Sequence, residues 1–230
     1  MKAPECVNLI LIETSTSLCS VALSQGGKVK AYRESTEPRA QASLCAPYIK
    51  EVMEEGGIGI QDLDGVCVSA GPGSYTGLRV GVSSAKGLCF GAGIPLYAMS
   101  TTQVLAQMGK GEDVDYIIPM IDARRMEVYT TVYKADTMEQ LSEIEAKVID
   151  ERSFREYLDN SRVLFIGDGA QKCSELLASP SSRFIQCCPS ARYMAETAQG
   201  LYLEGKSVDM AYFEPFYLKD FIATVSKKKL

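Results

Sequence analysis

The residues best suited to chemistry gather in three places. The first is Gly71-Pro72-Gly73-Ser74-Tyr75-Thr76-Gly77, where glycine turns alternate with hydroxyls just ahead of a helical pattern. Backbone N–H groups at a helix start, with the helix dipole behind them, favour an anion. Gly71, Gly73, Ser74 and Thr76 are therefore candidate phosphate contacts, with Arg79 one turn further on. The loop is not a Walker A loop, because no lysine and serine/threonine pair follows Gly77 at the required place, and Thr76 stands where a dinucleotide loop needs its third glycine. The second place is Glu13-Thr14-Ser15-Thr16, the polar end of a hydrophobic run, where Thr14 and Ser15 offer hydroxyls. A single carboxylate there is thin support for any ion. The third is Asp122-Ala123-Arg124-Arg125 with Glu127, the densest charged cluster beside a hydrophobic run. Arginine's planar fork suits phosphate or carboxylate; the alternative is a turn closed by its own salt bridges.

What is absent narrows the chemistry. The sequence has no histidine, which removes the commonest general base, the usual serine and cysteine triads and most zinc sites. The eight cysteines form no C-x-x-C pair and sit mostly inside apolar runs, where a free thiol acts as a small hydrophobe. With no charged-then-apolar leader and no long apolar span, the expectation is a cytoplasmic protein with reduced thiols and no metal site. Net charge is −5, so RNA would have to be met through a local patch or another subunit. Lys227-Lys228-Lys229 reads as a solvated tail.

These residues need elements to place them. Residues 8–15 form a strand hydrophobic on both faces, as in the middle of a covered sheet. Ser20 to Leu23 and Val29 to Tyr32 complete a meander through the turn Gln25-Gly26-Gly27. A helix over 41–55 follows, which Pro47 should delay or bend. Then come a strand at 66–70, the glycine loop, a helix to about Gly91, a strand at Leu96 to Ala98, and a helix capped by Ser100. Beyond Lys110-Gly111-Glu112-Asp113 the order recurs. The second meander covers 116–121, 126–133 and 143–149, followed by a helix at 151–158 and a strand at 163–166. Gly167-Asp168-Gly169, a helix at 170–177, a strand at 184–185 and a helix from Ser190 to Leu203 finish the set. The reading is an α/β chain with a duplicated unit. Two lobes, 1–109 and 110–230, each with a mixed five-stranded sheet and helices, face a cleft into which both strand-1 turns and both glycine loops point.

Residues Ile12 to Thr16, Gly71 to Gly81, Lys86-Gly87 with Gly93-Ile94-Pro95-Leu96, and Asp122 to Tyr129 resemble the TsaB family of tRNA threonylcarbamoyladenosine biosynthesis proteins. Gly167 to Ala170 and Pro215 to Leu218 look like the later motifs of that family. The resemblance implies an actin-like ATPase (ribonuclease H-like) fold, its C-terminal tail returning to the first lobe. It implies a non-catalytic subunit required to place threonylcarbamoyl on the adenosine beside the anticodon of tRNAs reading codons that start with A. The partners it implies are a TsaD-type catalytic subunit, a TsaE-type ATPase, a second copy when alone, and tRNA through the complex, with ATP or ADP a candidate ligand of that complex. The metal-binding histidines of TsaD would fall near Thr101 and Leu105, which cannot replace them. Glu13 stands where the family usually has aspartate, Gln41 where a histidine is common, and Met126 where a glycine usually follows the arginines.

The helix after the glycine loop carries Gly77, Gly81, Ser84 and Ala85 along one side, at a cost of about 0.8–1.0 kcal/mol for each interior glycine. Such a surface lets another backbone come close. It is the candidate docking face, with Leu88 beside it and Gln41, Cys45 and Tyr48 from the preceding helix. Two other readings are a small-molecule kinase or ATPase using Glu13 and Asp122, and a peptidase, for which only a Ser74–Lys86 pair is at hand.

Overall fold

The computed structural model describes residue 3 and residues 6–219; the Lys227–Lys229 run lies outside them. β1 (Asn8–Glu13) is buried from Leu9 onward because both of its faces are covered. It pairs antiparallel with β2 (Cys19–Gln25), which pairs antiparallel with β3 (Lys28–Ser35). On its other side β1 runs parallel to β4 (Gly65–Ser69), and β4 to β5 (Leu96–Met99), giving the order β3-β2-β1-β4-β5.

The second sheet repeats this plan around β6 (Tyr116–Asp122). β7 (Glu127–Thr130) and β9 (Glu145–Val148) extend it antiparallel; β10 (Val163–Ile166) and β11 (Ser182–Ile185) extend it parallel. The matching order in both sheets is the duplication expected from element order. The second sheet has six strands, not five, because the expected strand 126–133 is broken. Thr131 Oγ1 donates to the Ser142 carbonyl at 2.6 Å, and the Val132 N–H donates to Ser142 Oγ at 3.1 Å. With the backbone diverted there, β8 (Tyr133–Lys134) pairs separately with β6.

Helices cover both faces of each sheet. α1 (Ala40–Gly56) and α2 (Tyr75–Ala92) pack on one face of the first, over Ile10, Ile12, Val66 and Val68. α1 matches the expected helix over 41–55 and begins seven residues before Pro47, so the proline does not delay its start. Pro47 and Ser43 are both exposed, so the carbonyl left without a donor lies on the solvent side. α4 (Arg155–Leu158) and α5 (Ala170–Cys173) cover the second sheet and are shorter than the sequence suggests. α4 starts late because Asp150 accepts hydrogen bonds from the Arg152 N–H and Ser153 Oγ, closing a turn first.

The remaining helices are exchanged. α3 (Thr101–Met108) follows the first sheet in sequence, yet Leu105 and Ala106 pack on Ile117, Ile121 and Leu164 of the second. The 3₁₀ turn Ala191–Met194 and α6 (Ala195–Leu203) follow the second sheet, yet lie on Leu9, Leu11 and Tyr97 of the first. Each half thus completes the core of the other. Among the described residues no helix is long and apolar enough to cross a membrane.

Leu105→Ala and Met194→Ala should each cost about 2–5 kcal/mol. Because both positions join the halves, hydrogen exchange should show β1 and β6 amides opening together in either variant. A second contrast lies within α2. A Cβ on Gly81 would sit 2.3 Å from Thr14 Oγ1, while one on Gly87 meets nothing within 4 Å. Thermal unfolding should show Gly81→Ala destabilised by about 1–3 kcal/mol and Gly87→Ala stabilised by roughly 0.5–1 kcal/mol.

Candidate functional site

The ends of β1 and β6 and the loops beside them enclose a cleft of about 680 Å³. One wall is Ser15 to Ser17, Gln41 and Gly73 to Thr76; the other is Ile121 to Arg124, Tyr129 and Asp168; Phe216 to Lys219 cross between them. Both strand-1 turns, the first glycine loop and Asp168 of the second therefore reach the cleft, as their order in the chain implied.

The first wall is built by close backbone approach. A Cβ on Gly73 would lie 2.3 Å from the Ser15 carbonyl, and one on Gly77 would lie 2.0 Å from the Thr14 carbonyl. The Ser74 N–H donates to the Ser15 carbonyl at 2.6 Å, and Thr14 Oγ1 donates to the Gly77 carbonyl at 2.8 Å. Ser74 caps α2 by accepting from the Gly77 N–H at 3.3 Å. Gln41 Nε2 adds a bond to the Thr16 carbonyl at 2.7 Å. The second glycine loop repeats the arrangement: a Cβ on Gly167 would sit 2.1 Å from the Met120 carbonyl, and the Gly169 N–H donates to that carbonyl at 2.9 Å. The glycines thus serve contact with the neighbouring strand, and the Ser74, Gly77 and Gly169 amides are already engaged.

The turn after β6 is not closed by its own salt bridges. Asp122 and Glu127 are in ion pairs, but with Lys172 and Lys219 and not with the arginines of the turn. Lys172 Nζ also donates to the Glu127 carbonyl at 2.7 Å, and the Asp122 N–H donates to Asp168 Oδ1 at 2.9 Å. Burial pushes the Asp168 carboxyl above the usual carboxylate range. Arg124 and Arg125 have left-handed backbones (φ 71° and 51°), are exposed, and have no ion-pair partner among the described residues. Arg79 is occupied: its guanidinium stacks 4.1 Å from the Tyr75 ring and donates to Tyr217 Oη at 3.2 Å.

Below the cleft floor Glu13 is fully buried. Oε1 accepts from the Ser15 N–H at 2.6 Å, and Oε2 has no hydrogen-bond partner among the described residues. Burial pushes the carboxyl up to about 7, against the pull of the Ser15 and Ser69 groups. Thr101, near the position where a ligand histidine would fall, bonds Ser69 at 2.8 Å, and Leu105 is in the core. Among the described residues no three potential metal ligands cluster.

Four of the expected docking residues, Cys45, Gly77, Gly81 and Ala85, are buried inside the first lobe and do not reach its surface. Gly77 and Gly81 meet Thr14. Gln41, Tyr48, Ser84 and Leu88 are half-buried, whereas the outer side of α2 presents Ser83, Gly87 and Phe90, the last 81% exposed. Gly71 is covered by the Phe216 carbonyl, which a Cβ there would approach to 2.8 Å.

The family described as TsaD, tRNA N6-adenosine threonylcarbamoyltransferase, matches residues 36–225. The chain is 30% identical to the tRNA threonylcarbamoyladenosine biosynthesis protein TsaB of Haemophilus influenzae, over 97% of each chain. The chain belongs to the TsaB family. The Escherichia coli TsaB is 29% identical over 94% of this chain and 96% of its own. YeaZ from Pseudomonas aeruginosa superposes with a TM-score of 0.81 at 25% identity, covering 92% of this chain and all of that one. The fold is thus that of the actin-like ATPases, in two mixed sheets. In this TsaB-family chain the residues that sequence reasoning left without a role are Lys172 and the segment Phe216–Lys219. Their signal was faint, since Pro215 to Leu218 stood out only as a motif and Lys172 not at all.

A carboxyl whose native pKa lies above its unfolded value of 4.5 holds its proton more tightly in the native state. Stability should therefore fall as pH rises from 4.5 to about 7 and then level off, by about 3 kcal/mol in all. Glu13→Gln should remove most of that slope and be the more stable form at pH 8, measured by urea unfolding across the range.

Proposed function

We propose that this chain is the non-catalytic subunit of a tRNA threonylcarbamoylating complex, acting on the adenosine beside the anticodon. It docks a TsaD-type catalytic subunit through the outer side of α1 and α2, with a TsaE-type ATPase as third component and a second copy of itself as the occupant when alone. The relation to TsaB proteins over 97% of the chain is the observation that carries this reading. The absence of histidine from the sequence supports the assignment of catalysis to the partner.

The docking face differs in detail from the one the sequence suggested. Small exposed residues on both helices, Ala42, Ser43 and Ala46 on α1 with Ser83 and Gly87 on α2, allow close helix approach, and Phe90 offers an anchor. ATP or ADP, in this reading, enters at the junction between subunits, where Arg124 and Arg125 have no carboxylate partner among the described residues, and tRNA is engaged by the assembled complex. A free-standing kinase or ATPase is not favoured, because two amides of the first glycine loop are already engaged, Ser74 with the Ser15 carbonyl and Gly77 with Ser74 Oγ. Nor is a peptidase, because Lys86, the base offered for Ser74, lies about three turns further along α2, roughly 18 Å away at 1.5 Å rise per residue.

Ser83→Arg and Gly87→Arg place a long charged side chain in open space and should leave the fold intact. Each should lower co-purification with a TsaD-type partner at least about tenfold, as a lost interface core does. Undiminished pairing, with unchanged circular dichroism, would remove this face from the account.

A further inference from the structure

On the sheet face opposite α1 and α2, the edge strand β3 and the 3₁₀ turn before α6 enclose a groove of about 360 Å³. It is lined by Val29, Lys30, Tyr32, Arg192 and Tyr193. Ala31 points into the core under α1, so alternation along the strand turns Tyr32 to this side. The Arg192 guanidinium lies 4.5 Å from the Tyr32 ring centre and 5.8 Å from that of Tyr193. The two rings remain 44% and 40% exposed, so neither is closed off by the cation between them.

The charge here runs against that of the chain, which is −5 overall. Lys28 and Lys30 are exposed on the edge strand and have no ion pair among the described residues. The nearby acid, Glu34, is turned inward. Its Oε1 accepts from Ser20 Oγ at 3.0 Å and from Ser190 Oγ, and its Oε2 stands 4.0 Å from Arg192 Nη1. Glu34 thereby fixes the arginine without filling the groove.

We propose that this groove receives one or two unpaired nucleotides of RNA. Open aromatic rings with an interleaved guanidinium stack bases without regard to sequence, and lysines beside them meet the phosphates. An acidic peptide would use the charge but not the two rings, and a duplex keeps its bases out of reach of them. The inference rests on the tRNA reading above and deepens it: this chain contacts single-stranded RNA itself, away from its subunit-docking face.

The test uses the full-length chain and fluorescein-labelled octauridine at low salt, followed by anisotropy, with an RNA duplex of equal length as comparison. Octauridine should bind more tightly than the duplex. Tyr32→Leu and Tyr193→Leu should each weaken it about tenfold, Tyr32→Phe should stay within about twofold, and Lys30→Gln should reduce the salt slope by about one. Equal binding of duplex and single strand, wild-type affinity in both leucine variants, or no binding by wild type would each overturn the proposal. A threonylcarbamoyl-transfer assay separates the two levels. A chain that supports transfer yet binds no octauridine loses the groove and keeps the function. A chain that binds through the groove yet supports no transfer keeps the groove and loses the function.

Discussion

Much of the molecule depends on one backbone contact: the turn after β1 lying against the start of α2. Gly73, Gly77 and Gly81 present no side chain to Thr14 and Ser15, and a single methyl at any of them would fall within 2.3 Å of an oxygen. That approach seats the Ser74 N–H on the Ser15 carbonyl and lets Thr14 bond the Gly77 carbonyl. It sets the first wall of the cleft and turns α2 so that Ser83, Gly87 and Phe90 face outward. The second half repeats it in miniature, with Gly167 and Gly169 against Met120. The first glycine loop thus serves as a joint between strand and helix.

The two halves are joined less by their boundary than by exchanged cover. α3 completes the second core and the 3₁₀ turn with α6 completes the first, while α3 and that turn also pack on each other. The tail adds a further tie. The Phe216 N–H donates to the Ala70 carbonyl at 2.7 Å in the first lobe, and Lys219 pairs with Glu127 in the second. The cleft is therefore fixed from three sides, and Asp122 in its wall and Glu127 beside it are paired with lysines brought from elsewhere in the chain.

How much of this the sequence disclosed follows from the range of each interaction. β1 and β6 were legible because residues hydrophobic on both faces have few other places to go, and the repeated order of elements exposed the duplication. The direction of the glycine ridge on α2 was not, although Leu78, Val82 and Cys89 share its arc and are buried with it. A smooth stripe indicates close approach and is silent on which backbone approaches. The salt-bridged turn failed as a local reading because the partners of Asp122 and Glu127 lie 50 and 92 residues away. Helix exchange leaves no trace in element order, and the break before β8 turns on the bonds that Thr131 and Val132 make to Ser142.

What emerges is a chain that keeps the actin-like frame of its family, with the first glycine loop tied by the Ser74 N–H to the turn after β1. In the proposed reading its surface, not its cleft, carries the role. The most direct measurement is threonylcarbamoyl transfer to tRNA in a purified system containing TsaD- and TsaE-type proteins, with and without this chain. The account predicts product only when this chain accompanies the TsaD-type subunit, and none from this chain with TsaE alone. Equal product without this chain, or turnover by this chain without the TsaD-type subunit, would contradict it.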